Sequence, residues 1–261
     1  MSGDRAPAAI QAAADENMLV AFGLLVPHST SPAAGTETFG GAVAVATGAK
    51  VPFFNPVIAV DPRVTPDDVR AAVEWARARG IEPCVQVRSD LDPAVAAVAV
   101  ELGLAPLAWW PPGMALDPIP EPIPAGPAEL ELRLVRTDPD LQAWYAAAGE
   151  GMRSLIPPTF AFDPIARLMV GLVEGRPVCV SIVVDSSQAL GIYSVGTIVE
   201  MRGRGYGRAI TWAAIAAGRD AWGARPVILQ SSEMGEPVYR RMGFVEICRY
   251  VVYAPVEPES A

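Results

Sequence analysis

The chain has 261 residues, of which 51% are hydrophobic and 19% charged, which excludes a disordered chain and provides for a packed core. Its net charge of −9 argues against general nucleic-acid binding, because that binding requires a basic surface. The three cysteines lie far apart without metal-ligand or disulfide spacing, so we expect a reducing compartment and no metal site. With no secretion signal and no uninterrupted apolar run of about 18 residues, we expect a cytoplasmic protein that does not contact a membrane.

Strands and helices alternate in the first half of the chain. One or two helices are predicted within 6–14 and 17–26, further helices at 66–79 and 93–102, and strands at 42–47, 57–60, 84–87 and 114–116. The clearest helix begins after the N-cap residue Thr65, with Pro66 in first position and Asp67 and Asp68 in the first turn. This helix start already has a side-chain acceptor and negative charge, so it would repel an anionic ligand.

A proline-rich segment separates the two halves. Five prolines fall within residues 118–127, which excludes a helix interior or a central strand. We interpret the segment as a semi-rigid polyproline linker. The sequence therefore predicts two domains, 1–117 and 128–261.

The second half has a similar order of elements. Strands are predicted at 129–136, 168–173, 178–184, 189–199, 227–230 and 245–253, and helices at 138–153, 209–217 and 237–242. Glycines that end helices are similarly spaced in the two halves, Gly80 and Gly103 in the first, Gly223 and Gly243 in the second. The residues themselves are barely alike. The layout is that of a duplicated fold, or of ordinary elements whose lengths agree by chance.

One predicted strand ends in a loop rich in glycine and arginine that opens a helix. The loop reads Arg202-Gly203-Arg204-Gly205-Tyr206-Gly207-Arg208. Such a loop presents backbone N–H groups at a helix N-terminus, where the dipole and nearby cations favour an anion, most often a phosphate. A Walker motif is excluded because the only lysine is Lys50, and a dinucleotide fingerprint requires another glycine spacing.

Together with a downstream segment, this loop resembles the GNAT superfamily of N-acetyltransferases. Arg202–Gly207 fits the R/Q-x-x-G-x-G/A signature, and Val238-Tyr239-Arg240-Arg241-Met242-Gly243-Phe244 is similar to the family's Leu-Tyr-x-x-x-Gly-Phe segment. The resemblance covers about residues 130–253. It implies an α/β (α+β) fold with a mixed, mostly antiparallel central sheet flanked by helices. The first half would be a degenerate copy without the cofactor motif, which makes the fold a tandem.

The resemblance implies an acetyl-CoA-dependent N-acetyltransferase without a metal. Acetyl would pass to a primary amine of a small molecule or peptide, by direct attack of the amine on the thioester. The pyrophosphate would lie on the loop, and the pantetheine arm would pair with the preceding strand like an added strand. The implied acetyl-CoA-binding residues are Val195, Thr197, Arg202, Gly203, Arg204, Gly205, Tyr206, Gly207, Arg208 and Ser232. The sequence leaves open whether the protein is a monomer or a homodimer.

The catalytic residues are less clearly marked. By resemblance, Tyr239 is the candidate acid for the departing thiolate, and its alternative is a core aromatic. The strand 189–199 contains no carboxylate, so Glu200 just after it is the candidate base, unless it is a plain surface residue. Glu233 and Glu236 are alternatives. The missing strand carboxylate also raises a second function, a non-catalytic acyl-CoA-binding or regulatory module.

Overall fold

The computed structural model describes residues 6–256. The helices within this range are α1 (Pro7–Gly23), α2 (Pro66–Arg77), α3 (Pro93–Glu101), α4 (Asp138–Ala148), α5 (Pro158–Ala161), α6 (Tyr206–Trp222) and α7 (Glu236–Met242). The strands are β1 (Gly35–Phe39), β2 (Ala42–Ala46), β3 (Pro56–Ala59), β4 (Cys84–Arg88), β5 (Leu104–Pro106), β6 (Pro112–Leu116), β7 (Glu131–Leu134), β8 (Ala166–Val173), β9 (Arg176–Asp185), β10 (Leu190–Thr197), β11 (Val227–Gln230) and β12 (Val245–Pro255).

The chain divides into two compact units whose segments interleave in the sequence. Unit one comprises the residues up to Ala21 together with Met114–Ile247, and unit two comprises Phe22–Gly113 together with the residues from Cys248. The predicted limits, 1–117, 118–127 and 128–261, differ from this division at both ends. Most of α1 packs with the second half of the chain, and most of β12 packs with the first half. Local sequence patterns do not indicate contacts between such distant segments.

Unit one contains a mixed sheet with α6 packed against it. Strands β7, β8, β9 and β10 are antiparallel neighbours in chain order, and β11 lies parallel to β10 after the crossover through α6. The β8–β9 turn has positive φ at Glu174 and Gly175, the conformation that suits a two-residue hairpin. One core cluster joins the buried residues of β9 and β10 to those of α6, among them Val183, Leu190, Ile210 and Trp212.

Unit two is built on a related pattern. Strands β1, β2 and β3 are antiparallel, β4 lies parallel to β3 after the crossover through α2, and β12 is antiparallel to β4. Helix α2 buries Val69, Ala72, Val73 and Ala76, the positions that its period predicts. In both units, antiparallel strands therefore lead to a parallel strand through a single helix. The predicted fold class, a mostly antiparallel sheet flanked by helices, is confirmed.

Several predicted boundaries are corrected. Of the one or two helices predicted within 6–14 and 17–26, the structure has one continuous helix, α1, which ends at Gly23, because no residue between the two stretches stops a helix. Helix α4 ends at Ala148 rather than near Arg153, since Gly149 has a φ of 99° and a 3₁₀ turn follows. Strand β1 was not predicted, because its Gly-Thr-Glu-Thr-Phe sequence is mostly polar and lies largely exposed.

By length and composition, one described helical segment, Pro7–His28, is able to cross a membrane. Core helices of soluble proteins meet the same criterion, so this finding is weak evidence for a membrane span. Within the segment, Asn17 and Met18 are fully buried.

Asn17 anchors α1 to the sheet of unit one. Its side-chain amide donates to the backbone oxygens of Val184 at 3.1 Å and Ala189 at 2.9 Å, and its Oδ1 accepts from the Tyr193 hydroxyl at 2.8 Å. A Cβ on Gly191 would lie 1.9 Å from this Oδ1, so only glycine fits at that position of β10. The buried amide is thus fully bonded, and the helix is fixed where β9 turns into β10.

We predict that Gly191→Ala destabilises the protein by about 1–3 kcal/mol, because the added methyl group has no space and must displace Asn17. Urea unfolding of the two proteins measures the difference. The matched control is Gly196→Ala on the same strand, whose Cβ would meet only Val180 Cγ2, at 3.6 Å. Equal stability of both variants would contradict the Asn17 anchor.

Candidate functional site

Strands β10 and β11 diverge, and the site lies where they separate. They pair in parallel at two positions only, Leu190 with Val227 and Gly191 with Ile228. Further along β10 the register with β9 shifts. Tyr193 pairs with Ile182 and Gly196 pairs with Val180, so three residue steps on β10 lie opposite two on β9. Ser194 within this β-bulge has a φ of 50°. A bulge bends its strand, and here the bend turns the end of β10 away from β11.

The glycine- and arginine-rich loop follows β10 and begins α6. Gly203 and Gly205 have φ of 77° and 83°, left-handed values that glycine adopts without steric cost. Gly205 is the N-cap of α6, and no side chain caps the helix. The N–H groups of the first turn, from Tyr206 to Arg208, are therefore not covered by a side-chain acceptor. This is the uncapped helix start that the sequence predicts, and together with the helix dipole it has the geometry that suits an anion.

A cleft of about 610 Å³ opens along this loop. It is bordered by the end of β10, the loop with the first turn of α6, and α7 with the turn before it. All the predicted acetyl-CoA-binding residues line it, namely Val195, Thr197, Arg202, Gly203, Arg204, Gly205, Tyr206, Gly207, Arg208 and Ser232. The structure thus brings together residues from three elements that are separated in the sequence, although their roles stay predictions.

Positive charge is concentrated at this cleft. Arg202, Arg204, Arg208 and Arg241 line it, and no carboxylate occurs among the described lining residues. Arg202 folds back on the strand, where its Nε donates to the Thr197 carbonyl at 3.2 Å. In a chain of net charge −9, four arginines around one cleft create a local positive field that attracts anions.

Tyr239 lies at the inner side of the cleft, held by α7 and by the turn before it. A Cβ on Gly235 would come within 2.9 Å of the Tyr239 ring and 3.0 Å of Ser231 Oγ, so glycine makes room for the ring. Phe244 packs edge-on against the ring at 5.7 Å. The Ser232 hydroxyl accepts from the Gly235 N–H at 3.2 Å, which fixes the turn.

Burial keeps Tyr239 protonated. The side chain is only 8% exposed, and loss of hydration raises its pKa to about 12, although a hydrogen bond with Thr211 acts weakly in the opposite direction. A phenol with this pKa carries its proton throughout the neutral range. Tyr239 is therefore in the correct state to donate a proton within the cleft.

Glu200 is not part of the cleft lining. Its side chain is 67% exposed, and its carboxylate lies 3.6 Å from the Arg176 guanidinium. Among the alternatives, Glu236 forms an ion pair with Arg240 at 2.6 Å, and Glu233 is exposed. The geometry brings none of these carboxylates to the lining of the cleft, and the role of Glu200 as the base stays a prediction.

No family model and no curated protein matches the chain. Solved structures do match it. A GCN5-related N-acetyltransferase from Kribbella flavida has a TM-score of 0.72 and 22% identity, with 95% of this chain and 97% of that chain covered. One from Sphaerobacter thermophilus has a TM-score of 0.59 and 21% identity, covering 85% and 80%.

A tandem GNAT protein from the clavulanic acid biosynthesis pathway covers 88% of this chain and 86% of its own, with a TM-score of 0.59 and 17% identity. The chain has the GNAT fold. The resemblance predicted from two short motifs is thus confirmed for the fold, and at these identities the likeness is one of fold.

Unit two has the corresponding elements of a GNAT fold, but its equivalent of the cleft is closed. Strands β3 and β4 pair at four positions, from Pro56 with Cys84 to Ala59 with Val87, and so do not diverge as β10 and β11 do. The N-terminus of α2 is also occupied, since Thr65 Oγ1 accepts from the Asp68 N–H at 3.2 Å. The predicted Thr65 cap is therefore confirmed.

Asp68 adds negative charge at this helix start. Its carboxylate accepts from the backbone N–H groups of Thr65 at 2.9 Å and Gly41 at 3.1 Å, and these hydrogen bonds lower its pKa. The carboxylate therefore stays ionised where an anionic ligand would have to bind, so the start of α2 is unfavourable for a phosphate.

Besides further lining residues such as Gly196 and Met201, two features of the site were not predicted from the sequence. The bulge at Ser194 is one, since no residue type there requires it. Arg241 is the other. Residues three apart share a helix face, so the spacing from Val238 to Arg241 indicates that both side chains border the same cleft.

The loop conformation affects the stability of the protein, and this effect is measured without any ligand. We expect Gly205→Ala to lower the free energy of unfolding by about 1–2 kcal/mol, because an L-residue is strained in the left-handed region. Gly207→Ala is the matched control within the first turn, where the new Cβ would meet Thr197 Oγ1 at an ordinary 3.6 Å. There alanine is expected to stabilise the helix by about 0.5–1 kcal/mol. Urea unfolding that shows the same sign for both variants would contradict this loop geometry.

Proposed function

We propose that the chain is an acetyl-CoA-dependent N-acetyltransferase that acetylates a primary amine of a small molecule or a peptide. The observation that carries the proposal is the uncapped N-terminus of α6, which opens with its arginines into the cleft beside diverging strands. The proposal includes action in the cytoplasm, as a monomer or a homodimer.

The cleft offers separate places for the parts of acetyl-CoA. The pyrophosphate fits the N–H groups of the first turn of α6, with Arg204 and Arg208 beside it. The pantetheine arm fits the end of β10, near Val195 and Gly196, where β11 no longer pairs with the strand. The thioester would then lie toward the β-bulge, where a backbone N–H is able to polarise its carbonyl.

The transfer requires two proton movements. The amine nitrogen attacks the thioester carbon, the C–S bond breaks, and the CoA thiolate leaves. Tyr239 donates its proton to that thiolate and becomes a phenolate, the protonated nitrogen of the product gives one proton to water, and water returns a proton to the phenolate, which restores the tyrosine. A buried phenol with a pKa of about 12 remains available for this step throughout the neutral range.

The amine must lose its proton before it attacks. An alkyl amine with a pKa near 10.4 is neutral in only about one part in a few thousand at pH 7. Because no carboxylate lines the described cleft, we propose that the amine arrives neutral or loses its proton to water. The same observation favours the second candidate function, an acyl-CoA-binding module without catalysis.

Acetyl-CoA binding is tested with Gly205→Glu. The variant adds a carboxylate at the anion site and strains the N-cap, so we expect the Kd measured by calorimetry to rise about 100-fold or more, which corresponds to about 3 kcal/mol. Gly151→Glu is the matched control, because a Cβ there meets no atom within 4 Å. Absence of acetyl-CoA binding by the unaltered protein would refute the proposed function.

Catalysis is tested with Tyr239→Phe and a panel of primary amines. Loss of a general acid is expected to lower kcat about 100-fold or more while the affinity for acetyl-CoA is retained. The pKa of Tyr239 is raised to about 12, so its donor form persists below that pH. We therefore expect kcat/KM to rise with pH as the amine deprotonates, with no fall between pH 7 and about 10. Acetyl-CoA binding without turnover of any amine would instead support the non-catalytic module.

A further inference from the structure

The proline-rich segment predicted to be a linker lies along helix α6. We call residues 119–129 the strap. Near its start, Glu121 Oε1 lies 3.5 Å from Arg219 Nη1, in the last turns of α6. At its end, Glu129 Oε1 accepts from the hydroxyl of Tyr206, the first residue of the helix, at 3.0 Å. The strap therefore runs antiparallel to α6 along nearly its whole length.

The lengths of the two segments agree with this path. From Tyr206 to Arg219 the helix extends about 20 Å, at about 1.5 Å per residue. From Glu121 to Glu129 a chain in polyproline conformation would span about 25 Å, at about 3.1 Å per residue, which leaves length for the turn in which the Leu130 N–H donates to the Pro127 carbonyl. Half-buried Ile119 and Ile123 pack against the core cluster of unit one, which also contains the buried face of α6. The strap is thus a packed part of unit one rather than a free linker.

The strap is in closest contact with the phosphate-binding end of the helix. A Cβ on Gly126 would lie 2.8 Å from the Cβ of Ala209, so no larger residue fits there without movement of the strap. Pro127 lies 3.9 Å from the position of a Cβ on Gly205, the N-cap. Backbone and ring atoms of the strap therefore lie directly behind the loop.

Tyr206 links the strap to the arginines of the loop. Its side chain is 2% exposed, and its hydroxyl donates to the Glu129 carboxylate at 3.0 Å. The Arg204 guanidinium, two residues earlier in the loop, lies close enough to act on the phenol electrostatically. Loss of hydration and the Glu129 carboxylate raise the Tyr206 pKa, so the phenol keeps the proton that it donates to Glu129. Glu129 thereby fixes a residue whose backbone belongs to the anion site.

We infer that the strap is a positioning element for the proposed CoA site, in which Glu129, acting through Tyr206, holds the loop and Arg204 in the conformation that receives a pyrophosphate. This inference rests on the proposed function. Glu129 and Gly126 touch no part of the proposed ligand and are positioning residues.

The charge of Glu129 acts against its positioning role, which allows the two effects to be separated. A carboxylate beside an anion site repels phosphate, so its removal alone would strengthen CoA binding. Glutamine keeps an oxygen that accepts from the Tyr206 hydroxyl but has no charge, whereas alanine removes both. A positioning role predicts weaker binding in Glu129→Ala, and binding at least as strong as in the unaltered protein in Glu129→Gln.

The experiment measures two affinities for each variant. The Kd of CoA is measured by calorimetry, and the affinity for pantetheine, which lacks the pyrophosphate, is measured by its ability to displace CoA. Glu129→Ala and Tyr206→Phe are each expected to weaken CoA binding about 10-fold, and the double variant no further, because both remove the same hydrogen bond. Pantetheine binding is expected to stay unchanged. Gly126→Ala is expected to weaken CoA binding as well, and its matched control Gly151→Ala is not.

Hydrogen exchange keeps the test decisive if a variant changes the fold. The amides of Tyr206–Ala209 are expected to lose protection in Glu129→Ala, while those of β9 keep theirs. Equal loss of protection throughout unit one, equal weakening of CoA and pantetheine, or CoA binding by Glu129→Ala at least as tight as by the unaltered protein would overturn the inference. Failure of the unaltered protein to bind CoA would overturn the proposed function too, whereas unaffected variants of a CoA-binding protein would overturn this inference alone.

Discussion

The limited pairing between β10 and β11 is the constraint on which the site depends. Two parallel strands that paired along their length would leave no space between them, as β3 and β4 show in unit two. Because β10 carries a bulge and turns away after Gly191, its end, the start of α6 and the face of α7 border one cleft. This separation is what places the positive field, the uncapped start of α6 and the buried Tyr239 at a single cleft.

The sequence was most informative where a residue type has one physical reason to be present. Glycines beside arginines predicted an uncapped helix start, and Thr65 with Asp68 predicted a capped helix, because helix ends have strong and local chemical requirements. Likewise, the two motifs were sufficient to predict the fold. The helices and strands were located well for the same reason, since period and end signals are properties of neighbouring residues.

Features that arise from distant contacts were not accessible in this way. Prolines in 118–127 excluded helix and strand, but nothing in them indicates that Glu129 reaches Tyr206 or that Gly126 lies against Ala209. Similarly, α1 is an alanine-rich helix that is bonded to the sheet of unit one through Asn17. A single buried amide leaves no periodic pattern in the sequence from which this contact could be predicted. The β-bulge depends on pairing with β9, which is also a property of the folded sheet.

The interleaved units have a consequence for how the chain acquires its fold. Unit two is completed by β12, which follows every other described element in the sequence, whereas unit one needs α1, which precedes them all. Chains are made from the N-terminus, and domains built from continuous segments fold as they emerge. Here unit two lacks a part until β12 has been synthesised, and unit one, which extends to Ile247, is complete only shortly before. Folding of both units is therefore tied to synthesis of the last described elements, and a cut at the proline-rich segment would separate unit one from α1 and unit two from β12.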